Sequence, residues 1–436
     1  MAKKINIKDI FNGLGMPDIT YVAQENGEYE EDLKLGIEER GTLCLLTGSS
    51  KTGKTTLYKR VFSMMKKEPL IVRCDSTINA EEFWKRPLER IDFDRLTSLQ
   101  QTDLTEVSAG GKIGGNIGWA WLAGLIGEVS LGIKKSSSET EIREKIVSKP
   151  SPAHLIPLLK FSNAVLVVED FHYLDENVQK EIFQQWKAFT DEEVSVLVVG
   201  TTHHGVDLAY ANSDLVGRIQ QIDLGRWSES DLLQIANKGF DTLDVKAPSS
   251  VLSLIAKESS GLPIITQQTC AQLFSDKKIF EFKVGAKVEF NEQDAFDALN
   301  KIASTKYKQF DSWYSRLTIG PRKRARKYDT YEILLLVFTL DPLKYELKRH
   351  EIDDRIKELN LSFLKVPPAP SINSTLSALG KFQKNNGFEL FEWSKRDQVI
   401  YVLEPAFLFF LRWRNPRNSL PSLIDIIDVL LKNFSK

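Results

Sequence analysis

Cysteine is scarce in this 436-residue chain: Cys44, Cys74 and Cys270 stand far apart, with no CxxC pair and no histidine beside them. Such a set cannot build a disulfide framework or a zinc knuckle, so a reducing, cytoplasmic compartment is expected and the thiols read as buried packing residues. Charge of one sign is equally lacking. The 58 Lys+Arg nearly match the 59 Asp+Glu, which excludes a uniformly basic nucleic-acid coat, and the charged fraction of 27% excludes a wholly disordered chain. Long apolar runs are missing too. The opening MAKKINIKDIF has none and is not read as a secretory signal. The stretch nearest to membrane length, Ile113 to Ile133, is glycine-rich and contains Asn116 and Glu128, and its strongly apolar part, Trp119 to Ile126, is too short to span. It reads as a Gly-rich hairpin or helical hairpin packed on the protein, without stable membrane insertion; Trp119 and Trp121 leave a partner or lipid contact open.

What is present is an alternation of short apolar runs with helix-like segments, the pattern of a parallel sheet. The strands are expected at Thr42–Thr47, Leu70–Cys74, Ala164–Glu169, Ser195–Gly200 and Ile219–Leu224. Leu57–Lys67 and Glu176–Phe189 show helical spacing between them. Strand signals then stop, and Glu229–Phe240, Pro248–Glu258 and Pro263–Phe274 read as amphipathic helices. A basic run, Arg322 to Lys327, precedes a helix at Tyr331–Thr339, further helices and two strand candidates, Phe388–Trp393 and Val399–Leu403. Three helices followed by a β-hairpin outline a winged helix-turn-helix. The expected division is an N-terminal segment, 1–40; an α/β core, 41–225, with an insertion at about 80–150; a helical lid, 226–305; and a winged helix, 306–436.

The strongest chemical signal is the octet Gly48-Ser49-Ser50-Lys51-Thr52-Gly53-Lys54-Thr55, directly after an expected strand and before an expected helix. Two glycines let such a loop curl so that its N–H groups surround phosphates, while Lys54 reaches the β and γ oxygens and Thr55 offers its hydroxyl to Mg²⁺. Thr56 completes the cradle. By composition such an octet arises in roughly one chain in a hundred of this length. A metal-bearing phosphate loop needs an acid at a neighbouring strand end, and Ala164-Val-Leu-Val-Val-Glu169-Asp170 supplies two. In one register Glu169 serves Mg²⁺, partly through water, and Asp170 polarises the attacking water; in the other Asp170 serves the metal and Phe171 stands where the base should be. Both depart from the common Asp-Glu pair, which points to slow hydrolysis. Asn237-Lys238-Gly239-Phe240 lacks the Asp that reads a guanine edge, so ATP or ADP is the expected nucleotide. Thr201 or Thr202, after the next strand, can orient the lytic water, and His203-His204 beside them reads as loop polarity. Arg218, before the fifth strand, can reach a γ-phosphate of its own chain or a neighbour's, or form a surface ion pair.

Taken together, GSSKTGKT, VLVVEDFHYL, the Gly-Thr-Thr strand end, Gly217-Arg218-Ile219 and Ser260-Gly261-Leu262-Pro263 resemble, in that order, the AAA+/STAND signal-transduction ATPases. The likeness is strongest to bacterial and archaeal members with a C-terminal winged helix, whose closing stretch Leu403 to Arg414 resembles. It covers about residues 15 to 415 apart from the insertion. It implies a P-loop NTPase parallel sheet with helical lid and winged helix that close on ADP and open on ATP. It also implies that Tyr21 and Val22 flank adenine and that Pro263 lies against the nucleotide.

Two functions are expected from this. One is an ATP-driven switch that, on exchange of ADP for ATP, oligomerises with its own kind or engages a separate effector protein. The other is a DNA-binding regulator acting through the winged helix, with the basic run neutralising phosphates. The charge balance bears on both, because residues 306–436 hold 23 basic and 15 acidic side chains while residues 1–305 hold 35 and 44. Any nucleic-acid contact therefore belongs to the last third of the chain.

Overall fold

The computed structural model describes residues 4–90, 150–161, 163–200, 215–284, 286–320, 327–359 and 366–415. The Gly-rich stretch 113–133, most of the insertion, Thr201 to His204 and Arg322 to Arg326 lie outside these. In chain order the elements begin with β1 (Lys4–Asn6), α1 (Ile7–Ile10), α2 (Glu28–Glu38), β2 (Leu43–Gly48), α3 (Lys54–Met65), β3 (Glu68–Arg73) and α4 (Ala80–Arg90). They continue with α5 (Pro152–Phe161), β4 (Ala164–Glu169), α6 (Glu176–Asp191), β5 (Val196–Val199) and β6 (Ile219–Leu224). After these come α7 (Glu229–Leu243), α8 (Ser249–Glu258), α9 (Pro263–Asp276), β7 (Glu281–Lys283), α10 (Glu292–Lys306), α11 (Phe310–Ile319) and α12 (Thr330–Thr339). The last are β8 (Glu346–Lys348), α13 (Arg349–Glu358), α14 (Ala369–Asn385), β9 (Phe391–Ser394), β10 (Val399–Val402) and α15 (Ala406–Trp413).

The chain divides into two compact units. One comprises residues 27–48 and 54–224 and is built on a parallel sheet of strand order β3-β4-β5-β2-β6. The side-chain period of two explains why its strands read as continuous apolar runs. Leu43 and Leu45 enter one core with Leu166, Val168, Trp84 and Trp186; Cys44 and Leu46 enter the other with Val165, Val167, Tyr58 and Phe62. Both faces of the inner strands β2, β4 and β5 are covered, so alternation of apolar with polar residues is absent there. The Asp175 side chain caps α6 by accepting from the Asn177 N–H.

The other unit comprises residues 1–26, the loop apex 49–53 and residues 225–436. β1 pairs with β7, and α1 packs through Ile7, Ile10 and Phe11 into a core with α7, α8 and α9. Ser228 caps α7, an Asn291–Asp294 capping box starts α10, and Pro263 occupies the first turn of α9, where its missing N–H costs nothing. A single apolar cluster then runs from Leu262 and Ile265 through Phe296, Leu299 and Phe310 to Phe338, Leu379, Ile400, Phe407 and Trp413. It joins α9 and α10 to α11–α15 and to the antiparallel sheet β8-β10-β9.

Candidate nucleotide site

Strand β2 ends at Gly48 and helix α3 starts at Lys54, so the octet forms the turn between a buried strand and a helix N-terminus. Gly48 has φ +135°, and a Cβ there would lie 2.5 Å from the Leu224 carbonyl oxygen; Gly53 has φ +104°. Only glycine fits the first, and the second needs a backbone conformation that L side chains rarely adopt. Lys51 is also left-handed, φ +65°. A turn with left-handed residues at Gly48, Lys51 and Gly53 leading into a 12-residue helix N-terminus is a geometry that can receive an anion. Lys54 is buried and its Nζ donates to the Gly48 carbonyl at 2.8 Å. Phosphate oxygens would meet a cation, N–H donors and the hydroxyls of Thr55 and Thr56, a donor set that suits a nucleotide.

The two acids after β4 differ in surroundings. Glu169 is the last residue of the strand and is buried. Its Oε1 accepts from the Tyr58 hydroxyl at 2.9 Å and, at 3.5 Å, from Thr55 Oγ1, while its Oε2 accepts from Arg73 Nε at 2.9 Å. Asp170 has φ +62°, and its N–H donates to the Val199 carbonyl at 3.1 Å. Burial, and then the neighbouring Glu169 charge, raise the Asp170 carboxyl above its ordinary value, against the pull of Lys54 and Arg73. Thr55 and Glu169 bring hard oxygen ligands together, which suits Mg²⁺.

His172 lies in the single 3-10 turn after these acids. Burial, and next the positive charge of Lys54, lower it from 6.5 to about 4. A histidine whose folded value is depressed stabilises fully above its unfolded value, and that stability is lost as pH falls through the folded one. Between pH 7 and 4.5 the chain is therefore expected to lose about 2–3 kcal/mol that His172→Gln does not lose, because the unfolded chain takes up a proton that the folded one does not. Urea unfolding of both proteins at the two pH values checks this.

The apex Ser49–Gly53 is held by residues far along the chain. Ser50 N–H donates to the Leu403 carbonyl at 2.8 Å, Ser49 Oγ donates to the Val402 carbonyl at 2.7 Å, and Lys51 pairs with Glu404. Thr52 Oγ1 closes the loop on the Ser49 carbonyl at 2.9 Å. The Trp227 indole N–H donates to the Thr52 carbonyl at 2.8 Å, and the Trp227 backbone N–H to the Gly261 carbonyl at 3.2 Å. The half-buried Tyr345 donates its hydroxyl to the Ser260 carbonyl at 2.8 Å. Val22 packs in one small cluster with Trp227, Leu232, Ile235 and Ala256, and the Tyr21 carbonyl accepts from Lys238 Nζ at 2.6 Å. Pro263 opens α9 directly after the Ser260–Leu262 segment.

Arg218 is a correction for its own chain. It precedes β6, whose parallel pairing with β2 aligns Ile219 with Leu43 and Leu224 with Gly48. The arginine therefore stands at the strand starts, six residues or about 20 Å from the phosphate-loop end. Its Nη1 donates to Asp191 at 2.7 Å and to Thr190 Oγ1 at 2.9 Å, an ion pair at the end of the strands opposite to the phosphate loop. Thr201 lies outside the described residues. Arg73, Tyr58, Trp227, Tyr345 and Glu404 escaped the reading of the sequence; a charge ending the strand beside an acidic strand end was the only local signal, and it marks Arg73.

No family model and no curated protein matches the chain. Solved structures do. The chain is similar to the Walker-type ATPase PABY2304 of Pyrococcus abyssi at 14% identity, with a TM-score of 0.51 and coverage of 89% of this chain and 95% of that one. More remote are Aeropyrum pernix Orc1 in complex with DNA, at 12% identity, TM-score 0.41 and coverage of 99% and 97%, and the Thermotoga maritima RuvB Holliday junction branch migration motor, at 14%, 0.37, and 89% and 97%. At such identity the likeness to the first shows the fold, an α/β P-loop ATPase fold on a five-stranded parallel sheet.

Proposed function

We propose that the chain is an ATP-binding, slowly hydrolysing switch of the AAA+/STAND kind, whose nucleotide state is transmitted to a C-terminal winged helix and so to self-assembly or a separate effector protein. The observation that carries this reading is the seating of Ser49, Ser50 and Lys51 on Val402, Leu403 and Glu404. A loop whose ends hold phosphates cannot change its apex without changing these contacts, so β10 and the turn before α15 feel what the loop holds. In this reading Lys54 and the loop N–H groups bind the phosphates, and Thr55 and Glu169 hold Mg²⁺, which supplies charge neutralisation at the β and γ oxygens. Asp170, kept above its ordinary value yet facing Lys54, accepts the proton of the attacking water, with Thr201 orienting it. Arg218 meets a γ-phosphate only of a neighbouring copy. Helices α12–α14 with β8–β10 are the winged helix, and α7–α10 the lid whose Pro263, with Tyr21 and Val22, borders the base. The three cysteines are unpaired and buried, as in a cytoplasmic protein, and among the described residues no helix is long and apolar enough to cross a membrane.

Sizing the protein with ADP, with an ATP analogue, and as Asp170→Ala with ATP tests the switch. A larger species is expected with the analogue and with the variant. Glu404→Ala removes the partner of Lys51 and is expected to speed nucleotide release about tenfold, as judged by stopped-flow displacement of a fluorescent ADP. Identical elution in all three states, with release unchanged in Glu404→Ala, would sink the reading. A second reading, duplex DNA binding, is favoured by a groove of about 1010 Å³ between α12 and α14 that Lys327 and Lys381 line together with Asn385, Tyr328, Tyr331 and Phe382. Absence of duplex binding at low salt removes it.

A further inference from the structure

We propose that Arg73 is a built-in cation for Glu169, a guanidinium that neutralises this carboxylate when no divalent ion does and that Mg²⁺ must displace electrostatically as the nucleotide site loads. This rests on the reading of Lys54, Thr55 and Glu169 as a nucleotide and metal site.

The pairing follows from the sheet. β3 lies beside β4 in parallel register, Arg73 aligned with Glu169, and both are the last residues of their strands. The Cys74 N–H donates to the Glu169 carbonyl at 3.0 Å and Arg86 Nη1 donates to the Arg73 carbonyl at 2.8 Å, so the backbones of both partners are fixed. The side chains are not alike. The Glu169 side chain is 9% exposed and the Arg73 side chain 64%. Tyr58, wholly buried, holds Oε1 through its hydroxyl, and burial followed by the Glu169 charge pushes that phenol up, so it stays a donor.

A buried carboxylate needs a counter-charge. Here it has one standing in solvent, on a side chain whose guanidinium can turn away without leaving a cavity. A salt bridge built for stability would bury both partners or be worth little. This one instead places a movable positive charge on the acid that Thr55 also touches, at 3.5 Å. Arg73 also acts electrostatically on Asp170, lowering it, so its charge extends over both acids. Two cations cannot both keep close contact with one carboxylate without repelling each other, so Mg²⁺ loading weakens the Arg73 contact and Arg73 weakens Mg²⁺ loading.

The test uses the full chain loaded with ADP and titrated with Mn²⁺, free Mn²⁺ being read by electron paramagnetic resonance. Arg73→Gln is expected to lower the Mn²⁺ midpoint about five- to tenfold, the effect of one unit charge a few ångströms away in well-solvated surroundings. Arg73→Lys, which keeps the charge, is expected to stay within about threefold of the unaltered protein. Glu169→Gln is expected to raise the midpoint and to abolish the effect of Arg73→Gln. Thermal melting that coincides for all variants supports a charge effect. Retained ADP affinity with an unchanged or higher Mn²⁺ midpoint in Arg73→Gln overturns this proposal alone, as does an equal shift in Arg73→Lys. Failure of the unaltered chain to bind ADP overturns the nucleotide reading, and this proposal with it.

Discussion

Lys54→Ala is expected to lower ATP and ADP affinity at least about a hundredfold while leaving the fold intact. The side chain is buried at the N-terminus of α3, with its ammonium on the Gly48 carbonyl. A buried cation there has been desolvated in advance, so a phosphate meets it without much further loss of hydration. Charge-assisted hydrogen bonds of this kind contribute about 1.5–3 kcal/mol each, and about 2.7 kcal/mol is a hundredfold in affinity. The helix keeps Leu57, Tyr58, Val61 and Phe62 in the core, so truncation at its first residue removes little packing. Two electrostatic consequences accompany the loss. The Asp170 carboxyl, which Lys54 pulls down, rises further, and His172 regains only the smaller part of its depression, because burial is the larger cause and stays. Calorimetric titration with ATP measures the affinity, and unchanged binding would remove the nucleotide site altogether.

The residues of this site that the sequence made legible are those whose meaning is local. The octet declares itself because its spacing, and the strand and helix on either side, are contiguous. The five strands fell within two residues of their expected starts; β2, β4 and β5 are short runs of β-branched or aliphatic residues buried on both faces, while the edge strands β3 and β6 show themselves by shorter apolar groups, Leu70-Ile71-Val72 and Ile219 with Ile222 and Leu224. What stayed hidden is what register and distance decide. Arg73 means nothing until β3 is known to lie beside β4 and to end level with it. Glu404 stands 353 residues from Lys51, and nothing in either neighbourhood announces the other. Tyr58 reads as one more apolar position on the inner face of α3, and only the fold shows its hydroxyl on Glu169. Arg218 stayed undecided between a phosphate and a surface ion pair for the same reason: strand direction, which carries it to the other end of the sheet, selects the ion pair. β8 and α11 were not foreseen, the first because three residues are too few to show a period of two.

Glu258→Ala is expected to destabilise the unit that contains it by about 3–5 kcal/mol, the cost of stranding a buried charge. The Glu258 side chain is 0% exposed and that of Arg412 4%. Its carboxylate accepts from Arg412 Nη2 at 3.1 and 3.2 Å, from Arg412 Nε at 3.3 Å and from the Trp413 indole N–H at 2.9 Å. Without it Arg412 keeps Asp341 at 3.0 Å, a partner whose side chain is 61% exposed, and Trp413 loses its acceptor. Replacing both charges, as Glu258→Leu with Arg412→Met, is expected to cost far less than the two single changes together, because no buried charge is left unpaired and Asp341 is 61% exposed to solvent. Guanidinium unfolding of the four proteins gives the coupling. The position of the pair extends its reach: Glu258 ends α8 one residue before Ser259 and Ser260, and Arg412 belongs to α15, which begins two residues after Glu404. The Ser260 carbonyl accepts from the Tyr345 hydroxyl, the Gly261 carbonyl from the Trp227 backbone N–H, and the Thr52 carbonyl from the Trp227 indole N–H. Both routes from the buried pair thus end on the apex of the phosphate loop. If the pair is what keeps them taut, the Ser50 amide, held by the Leu403 carbonyl, should exchange its hydrogen about tenfold faster in Glu258→Ala. Protection at Ser50 that matches the unaltered protein, in a variant already shown to be destabilised, would confine the pair to holding α8 and α15 together.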